Sequence, residues 1–124
     1  MKGGDIVNFE EISIGLCEGR HEIPEVKEYI FPKGFFTDEN DMFDYDRMGL
    51  QILKVLKMQA GTVRLYVTGF TLALVSVINF CCANLIPLVL MHFDKSSNSY
   101  KEQVVYTAKY RDLLEEGGYV SKRQ

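Results

Sequence analysis

With 124 residues, the chain has the length of one domain and can bury a sizeable hydrophobic core. Its composition, 47% hydrophobic and 25% charged, is that of a folded globular protein and excludes a disordered chain. A net charge of −3 excludes a general electrostatic attraction to long nucleic acids, which needs a basic protein surface.

The first third of the chain predicts one strand and a turn-rich segment. Residues 11–18 (EISIGLCE) alternate between apolar side chains and small or polar ones, the period of a strand with one buried face. The next residues contain Pro24, Pro32 and Gly34, which favour turns. We expect only a short extended piece there, around 28–31.

A helix is predicted over 37–61. Asp38 and Asp41 suit its start, where carboxylates accept hydrogen bonds from free N–H groups and meet the positive end of the helix dipole. Apolar side chains then recur at helical spacing, at Met48, Ile52, Leu53, Val55 and Leu56. Gly61 ends the helix. The β-branched and aromatic residues 62–67 (TVRLYV) predict the next strand, joined to the first by this helix.

An uncharged run from Leu65 to Phe93 raises the question of a membrane span, because it exceeds the length of about 20 apolar residues that a span needs. The residues within the run argue against a membrane span. Gly69 and Pro87 interrupt it near its two ends, and two asparagines lie inside it, where polar groups are costly in lipid. We therefore predict no membrane segment.

The same run divides into a β-α-β unit. Strand 62–67 leads through a Thr-Gly turn into helix 71–85 (TLALVSVINFCCANL), and strand 87–93 (PLVLMHF) follows. The helix is apolar almost all round, which predicts burial on more than one side. The domain is too small to cover both sides of this helix by itself. We therefore predict that another copy of the chain covers the second side, which makes the protein a homo-oligomer through helix 71–85.

After a turn at 94–100 (DKSSNSY), residues 100–107 predict an antiparallel edge strand, residues 106–116 a short helix, and residues 117–124 a loose tail. The predicted fold is a single α/β domain over 1–124. It is a small three-layer, Rossmann-like domain with a mostly parallel sheet, two crossover helices and an antiparallel edge hairpin strand.

The cysteines indicate a reducing compartment. Their number is odd, and Cys81 and Cys82 are adjacent in an apolar run, which is not a disulfide framework. The first twenty residues are acidic and lack the apolar segment of a signal peptide. We expect a cytoplasmic protein.

Candidate ligand-binding residues gather where the predicted parallel strands end, the edge at which open sheets bind ligands. The clearest cluster is Thr68, Gly69, Phe70 and Thr71, where glycine allows a close backbone approach and the next helix begins with free N–H groups that favour an anion. The alternative is an ordinary helix cap without a ligand. The cluster is neither a GxGxxG nor a Walker A motif.

The other candidates follow the same edge. Arg20 and His21 end the first strand, and an arginine can pair with a phosphate or a carboxylate. The alternative is an exposed turn or an ion pair with the acidic residues around it. His92 and Asp94 end the third. Together with His21 they offer the atoms of a metal site or an acid–base pair, but a structural histidine beside a turn carboxylate is the preferred interpretation. No metal, cofactor or catalytic residue is predicted.

The hairpin strand supplies the last two candidates. Tyr100 can stack on a nucleobase, and Gln103 can hydrogen-bond to its edge. The alternative for both is an edge strand with no ligand.

The stretch VRLYVTGFTLALVSVINFC…IPLVLMHFD resembles the core of Rossmann-like nucleotide-sensing domains such as the CARF domains, in which a strand ends in a small Thr/Gly turn and feeds a buried helix. The chain departs from full CARF proteins in lacking an effector domain, and is similar in plan to small phage proteins that sequester nucleotide signals in anti-defence. The resemblance implies that Thr68, Gly69, Phe70 and Thr71 lie at the phosphate.

These observations predict a non-enzymatic binder, or sponge, of a small phosphorylated nucleotide, such as a cyclic nucleotide or an ADP-ribose derivative, acting as an oligomer. Two alternatives stay open. One is a ring-nuclease-like phosphodiesterase that uses His21 or His92 as acid or base. The other is an oligomeric interaction module without a ligand.

Overall fold

A mostly parallel β-sheet forms the centre of the computed structural model, which describes residues 6–108. The strands, in chain order, are β1 (Ile12–Cys17), β2 (Tyr29–Phe31), β3 (Val63–Tyr66), β4 (Leu88–Asp94) and β5 (Ser99–Val105). The α-helices are α1 (Tyr45–Leu56) and α2 (Thr71–Ala83), and a 3₁₀ helix (Glu39–Phe43) precedes α1. The predicted loose tail and all but the start of the predicted helix 106–116 lie outside the described residues.

The strand order is β2-β1-β3-β4-β5, with the first four strands parallel and β5 antiparallel to β4. This confirms the predicted α/β class with its antiparallel edge strand. One connection differs from the prediction. The short extended piece around 28–31 is a true strand, β2, so α1 leads from β2 to β3 and crosses over β1, which lies between them.

Strand alternation divides the sheet into two faces. On the helix face, Leu65 and Leu90 join a core that includes Met48 of α1 and Val77 of α2. The two helices also pack against each other on this face, where the Ser76 hydroxyl lies 3.8 Å from the Met48 sulfur.

On the opposite face, which we call the loop face, Tyr66 and Met91 pack with Ile23 and Val26 from the connection between β1 and β2. Residues 18–28 must return along the sheet because β2 runs parallel to β1, and they do so without a helix. The third layer of the domain is therefore this loop, not a helix.

The uncharged run forms a strand, a helix and a strand, as its interruptions predict. Between residues 6 and 108, no helix has the length and apolar character needed to cross a membrane. In α2, only Ala73, Val77 and Cys81 are fully buried, and Val75 is 45% exposed. The helix thus keeps an uncharged outer side that the described part of the chain leaves open.

Candidate functional site

Two cavities flank the loop 18–28 at the carboxyl ends of the parallel strands. The first, which we call the aromatic cavity, has a volume of about 860 Å³ and lies on the loop face between the loop and β3, β4 and β5. Its lining includes the loop residues 21–25, Tyr66, Thr68, Met91, Phe93, Asn98 and Tyr100. It lies at the edge where parallel sheets bind ligands, and its volume is that of a small-molecule site.

Three aromatic rings give this cavity its character. Tyr100 lies opposite Phe93 in the β4–β5 register, and the ring centroids are 5.3 Å apart. Tyr66 from β3 meets the Tyr100 ring at 4.9 Å, edge to face. Burial raises the pKa of both tyrosines, and the negative charge of Glu25 raises them further, so both hydroxyls keep their protons at neutral pH. A planar heterocycle finds a stacking surface here.

The second cavity, which we call the basic cavity, has a volume of about 800 Å³ and lies beyond the ends of β1 and β2. Its charged lining residues are Glu18, Arg20, Glu22, Lys27 and Lys33, with His21 among them. The Glu18 carboxylate accepts a hydrogen bond from the Lys33 backbone N–H at 3.0 Å, which fixes one acid in a structural role. Cations outnumber carboxylates here, as an anion requires.

The two cavities adjoin, because residues 21–24 line both of them. Their electrostatic characters are opposite. Glu25 lines the aromatic cavity alone and Glu22 lines both, whereas Arg20, Lys27 and Lys33 line the basic cavity alone. Arg64, a cation further along the loop face, lies within 2.5 Å of Glu11 and Glu102 and is neutralised by them. A ligand that spans both cavities therefore meets an aromatic, acidic end and a basic end.

The structure brings four predicted residues to these cavities: Arg20 lines the basic cavity, Thr68 and Tyr100 the aromatic one, and His21 both. The Thr68 hydroxyl has a structural use as well. It donates to the Cys17 carbonyl at 2.5 Å and accepts from the Cys17 N–H at 3.1 Å, joining β1 to β3 where their ladder ends.

Gly69, Phe70 and Thr71 lie in the turn from β3 to α2, outside the lining of both cavities. Gly69 has a φ of +91°, and a Cβ there would lie 2.6 Å from the Cys17 sulfur. The Phe70 ring packs edge-on against Phe36 at 4.7 Å. Thr71 begins α2, and Phe70, the residue before it, gives no side-chain cap. Backbone conformation and packing account for the glycine and the phenylalanine.

The remaining predicted residues, His92, Asp94 and Gln103, also lie outside both cavities. His92 Nε2 lies 2.7 Å from Gln103 Oε1, on the face of the β4–β5 pair opposite Phe93 and Tyr100. Asp94 accepts hydrogen bonds from the hydroxyls of Ser96 and Ser97, which lower its pKa and close the hairpin turn. Within residues 6–108, no three or more His, Cys, Asp or Glu side chains are grouped to hold a metal ion.

The thiols carry no evident reactivity. Burial raises the pKa of Cys17 to about 11 and that of Cys81 to about 12, so both are protonated at neutral pH. Cys81 is buried in the core under α2, and Cys17 is partly buried and packs against that core.

Sequence reasoning missed most of the aromatic cavity. The hairpin register places Tyr100 opposite Phe93, and strand alternation then places Tyr66 and Phe93 on the same face of the sheet. The sequence pattern could therefore have identified both residues. The positions of Glu25 and Lys27 could not be predicted from a sequence pattern, because the position of their loop depends on the pairing of β2 with β1.

No family model matches the chain, and comparisons with curated proteins and with solved structures give no match either.

Proposed function

We propose that the protein binds a small phosphorylated nucleotide across the two adjoining cavities, with the base in the aromatic cavity and the phosphate in the basic one. The observation that carries the proposal is the pairing of accessible aromatic rings, Tyr100 and Phe93, with a basic cavity that begins at the shared residues 21–24. A nucleotide has this same division into a planar ring and an anion.

The CARF resemblance implies that the phosphate binds at the Thr68–Thr71 turn. The proposed arrangement places it in the basic cavity instead. The Thr68 hydroxyl is engaged with Cys17, and Gly69 is explained by its backbone conformation. Arg20, Lys27 and Lys33 supply the positive charge that this turn lacks. The resemblance still supports the class of ligand, and with it sequestration of a nucleotide signal in the cytoplasm, as in phage anti-defence.

The proposal is tested by thermal denaturation and calorimetry of the full chain with mononucleotides, cyclic nucleotides and ADP-ribose. We expect at least one to raise the melting temperature and to be recovered intact by chromatography, since binding to the native state alone stabilises it. A melting temperature that none of them shifts contradicts the proposal. Recovery of a hydrolysed ligand favours the phosphodiesterase alternative, with His21, which lines both cavities, as the acid or base.

Replacement of Arg20 by glutamine tests where the phosphate lies. We expect the variant to bind mononucleotides about tenfold more weakly, because a charge-assisted hydrogen bond to the phosphate is lost. The matching nucleosides should bind it as they bind the wild type. Isothermal titration calorimetry with AMP and adenosine, and with GMP and guanosine, measures the difference. The control is Lys54→Gln on α1, a lost cation far from both cavities. Equal losses for nucleotide and nucleoside contradict the placement.

We further propose that a second copy of the chain covers the outer side of α2. The exposed positions Thr71, Val75, Asn79 and Ala83 form one stripe along the helix, and none is charged. Leu50 and Leu53, on the neighbouring helix α1, are also exposed, at 68% and 44%. An uncharged stripe is self-complementary, as a two-fold contact between identical surfaces requires.

Replacement of Val75 by glutamate should therefore shift the oligomer toward monomer, because two carboxylates would meet at the two-fold contact without partners. Sedimentation velocity over a concentration series measures the change. The matched control is Val104→Glu on β5, where a valine of similar exposure, 40% against 45%, lies away from α2. A monomeric wild type, or equal effects of the two variants, contradicts the interface.

A further inference from the structure

Two carboxylates distinguish the aromatic cavity from a generic stacking surface. Glu22 and Glu25 belong to its lining, beside the ring pair of Tyr66 and Tyr100. Burial raises the pKa of each tyrosine, and the negative charge of Glu25 raises it further. An ionised carboxylate accepts hydrogen bonds and donates none. A planar group that stacks here and presents hydrogen-bond donors to these residues therefore gains contacts that a group with acceptors at the same positions does not.

Building on the proposed function, we propose that the aromatic cavity selects guanine over the other bases, with Glu25 as the residue that reads its edge. Guanine carries two adjacent donors, the N1–H and the exocyclic N2 amine, which match the two oxygens of one carboxylate. Such a bidentate pair discriminates between bases by about tenfold.

The other bases place an acceptor where guanine has a second donor. Adenine has its N1 acceptor beside the N6 amine, and cytosine has its N3 acceptor beside the N4 amine. Uracil has one N3–H between two carbonyl oxygens. A lone pair directed at an ionised carboxylate is repelled, so each of these bases loses one hydrogen bond and gains an unfavourable contact.

The hairpin turn supplies a donor for the remaining edge of guanine. Asn98 lines the aromatic cavity and has a φ of 54°, the left-handed conformation that asparagine tolerates better than most residues. Its side-chain amide can donate to guanine O6. Glu25 and Asn98 thus come from opposite sides of the cavity, the loop and the hairpin, and together offer acceptors and a donor in the pattern that guanine requires.

Calorimetric titration of the full chain with GMP, AMP, CMP and UMP tests the selection. We expect GMP to bind about tenfold more tightly than each of the others, and Glu25→Gln to remove most of that preference while AMP affinity changes less than threefold. Glu25 is exposed, so the variant should fold, and circular dichroism verifies this. The matched control is Glu28→Gln, because Glu28 is an exposed glutamate of the same loop and lines neither cavity.

The outcomes separate this inference from the proposed function. If the four nucleotides bind equally well, guanine selection is wrong and nucleotide binding stands. If GMP is preferred but Glu25→Gln and Glu28→Gln both behave like the wild type, the role of Glu25 is wrong. If neither these four nor the wider panel of cyclic nucleotides and ADP-ribose binds, the proposed function itself fails.

Discussion

A Gly69→Ala variant should unfold about 10 °C below the wild type, a loss of roughly 2–4 kcal/mol in the free energy of unfolding. Two costs add at this position. The φ of +91° is a conformation that alanine rarely adopts, and the new Cβ would lie 2.6 Å from the Cys17 sulfur and 2.7 Å from the Cys17 Cβ. Thermal denaturation followed by circular dichroism measures the loss.

The matched control is Gly19→Ala, where a Cβ meets nothing within 4 Å, so its melting temperature should stay near that of the wild type. The double variant Cys17→Gly/Gly69→Ala, compared with Cys17→Gly alone, should recover the steric part of the loss and keep the backbone part. A Gly69→Ala protein as stable as the wild type contradicts this account. If that protein also fails to bind nucleotides, Gly69 has the ligand role that the sequence predicts.

A Tyr100→Ala variant should bind the nucleotide ligand about 5- to 150-fold more weakly, because removal of one stacking ring costs about 1–3 kcal/mol per base. Tyr100 is the central ring of the aromatic cavity, because it contacts both Tyr66 and Phe93. Tyr100→Phe keeps the ring and should keep most of the affinity. Calorimetry with the tightest-binding mononucleotide measures both variants.

The matched control for Tyr100→Ala is Tyr106→Ala, because Tyr106 is 61% exposed and lines neither cavity. Its affinity should equal that of the wild type. If Tyr100→Ala binds the nucleotide as tightly as the wild type does, the base does not bind in the aromatic cavity. An equal loss in both tyrosine variants would point to a general effect on stability, which their melting temperatures reveal.

The candidate site was only partly predictable from the sequence. Arg20, His21 and Thr68 were found because parallel strands end at a common edge, and that rule needs only the strand boundaries. Tyr100 was found from its position at the start of the hairpin strand. The same rule also selected His92 and Asp94, which are held by Gln103 and by the serines of the hairpin turn. The rule identifies an edge of the sheet, but it does not say which face of each strand borders a cavity.

The sequence by itself determined the α/β class, the strand–helix–strand nature of the uncharged run and the antiparallel edge strand. These features follow from local periodicity and from the Gly69 and Pro87 interruptions, which act over a few residues. The tertiary structure decided that residues 29–31 pair with β1, that both helices share one face, and that loop 18–28 covers the other. The extended conformation of this segment was predicted, but three residues carry too little periodicity to reveal which strand they pair with, because that pairing depends on backbone hydrogen bonds to a separate strand. Both cavities depend on that pairing, so the arrangement of the site emerges only when the chain is folded.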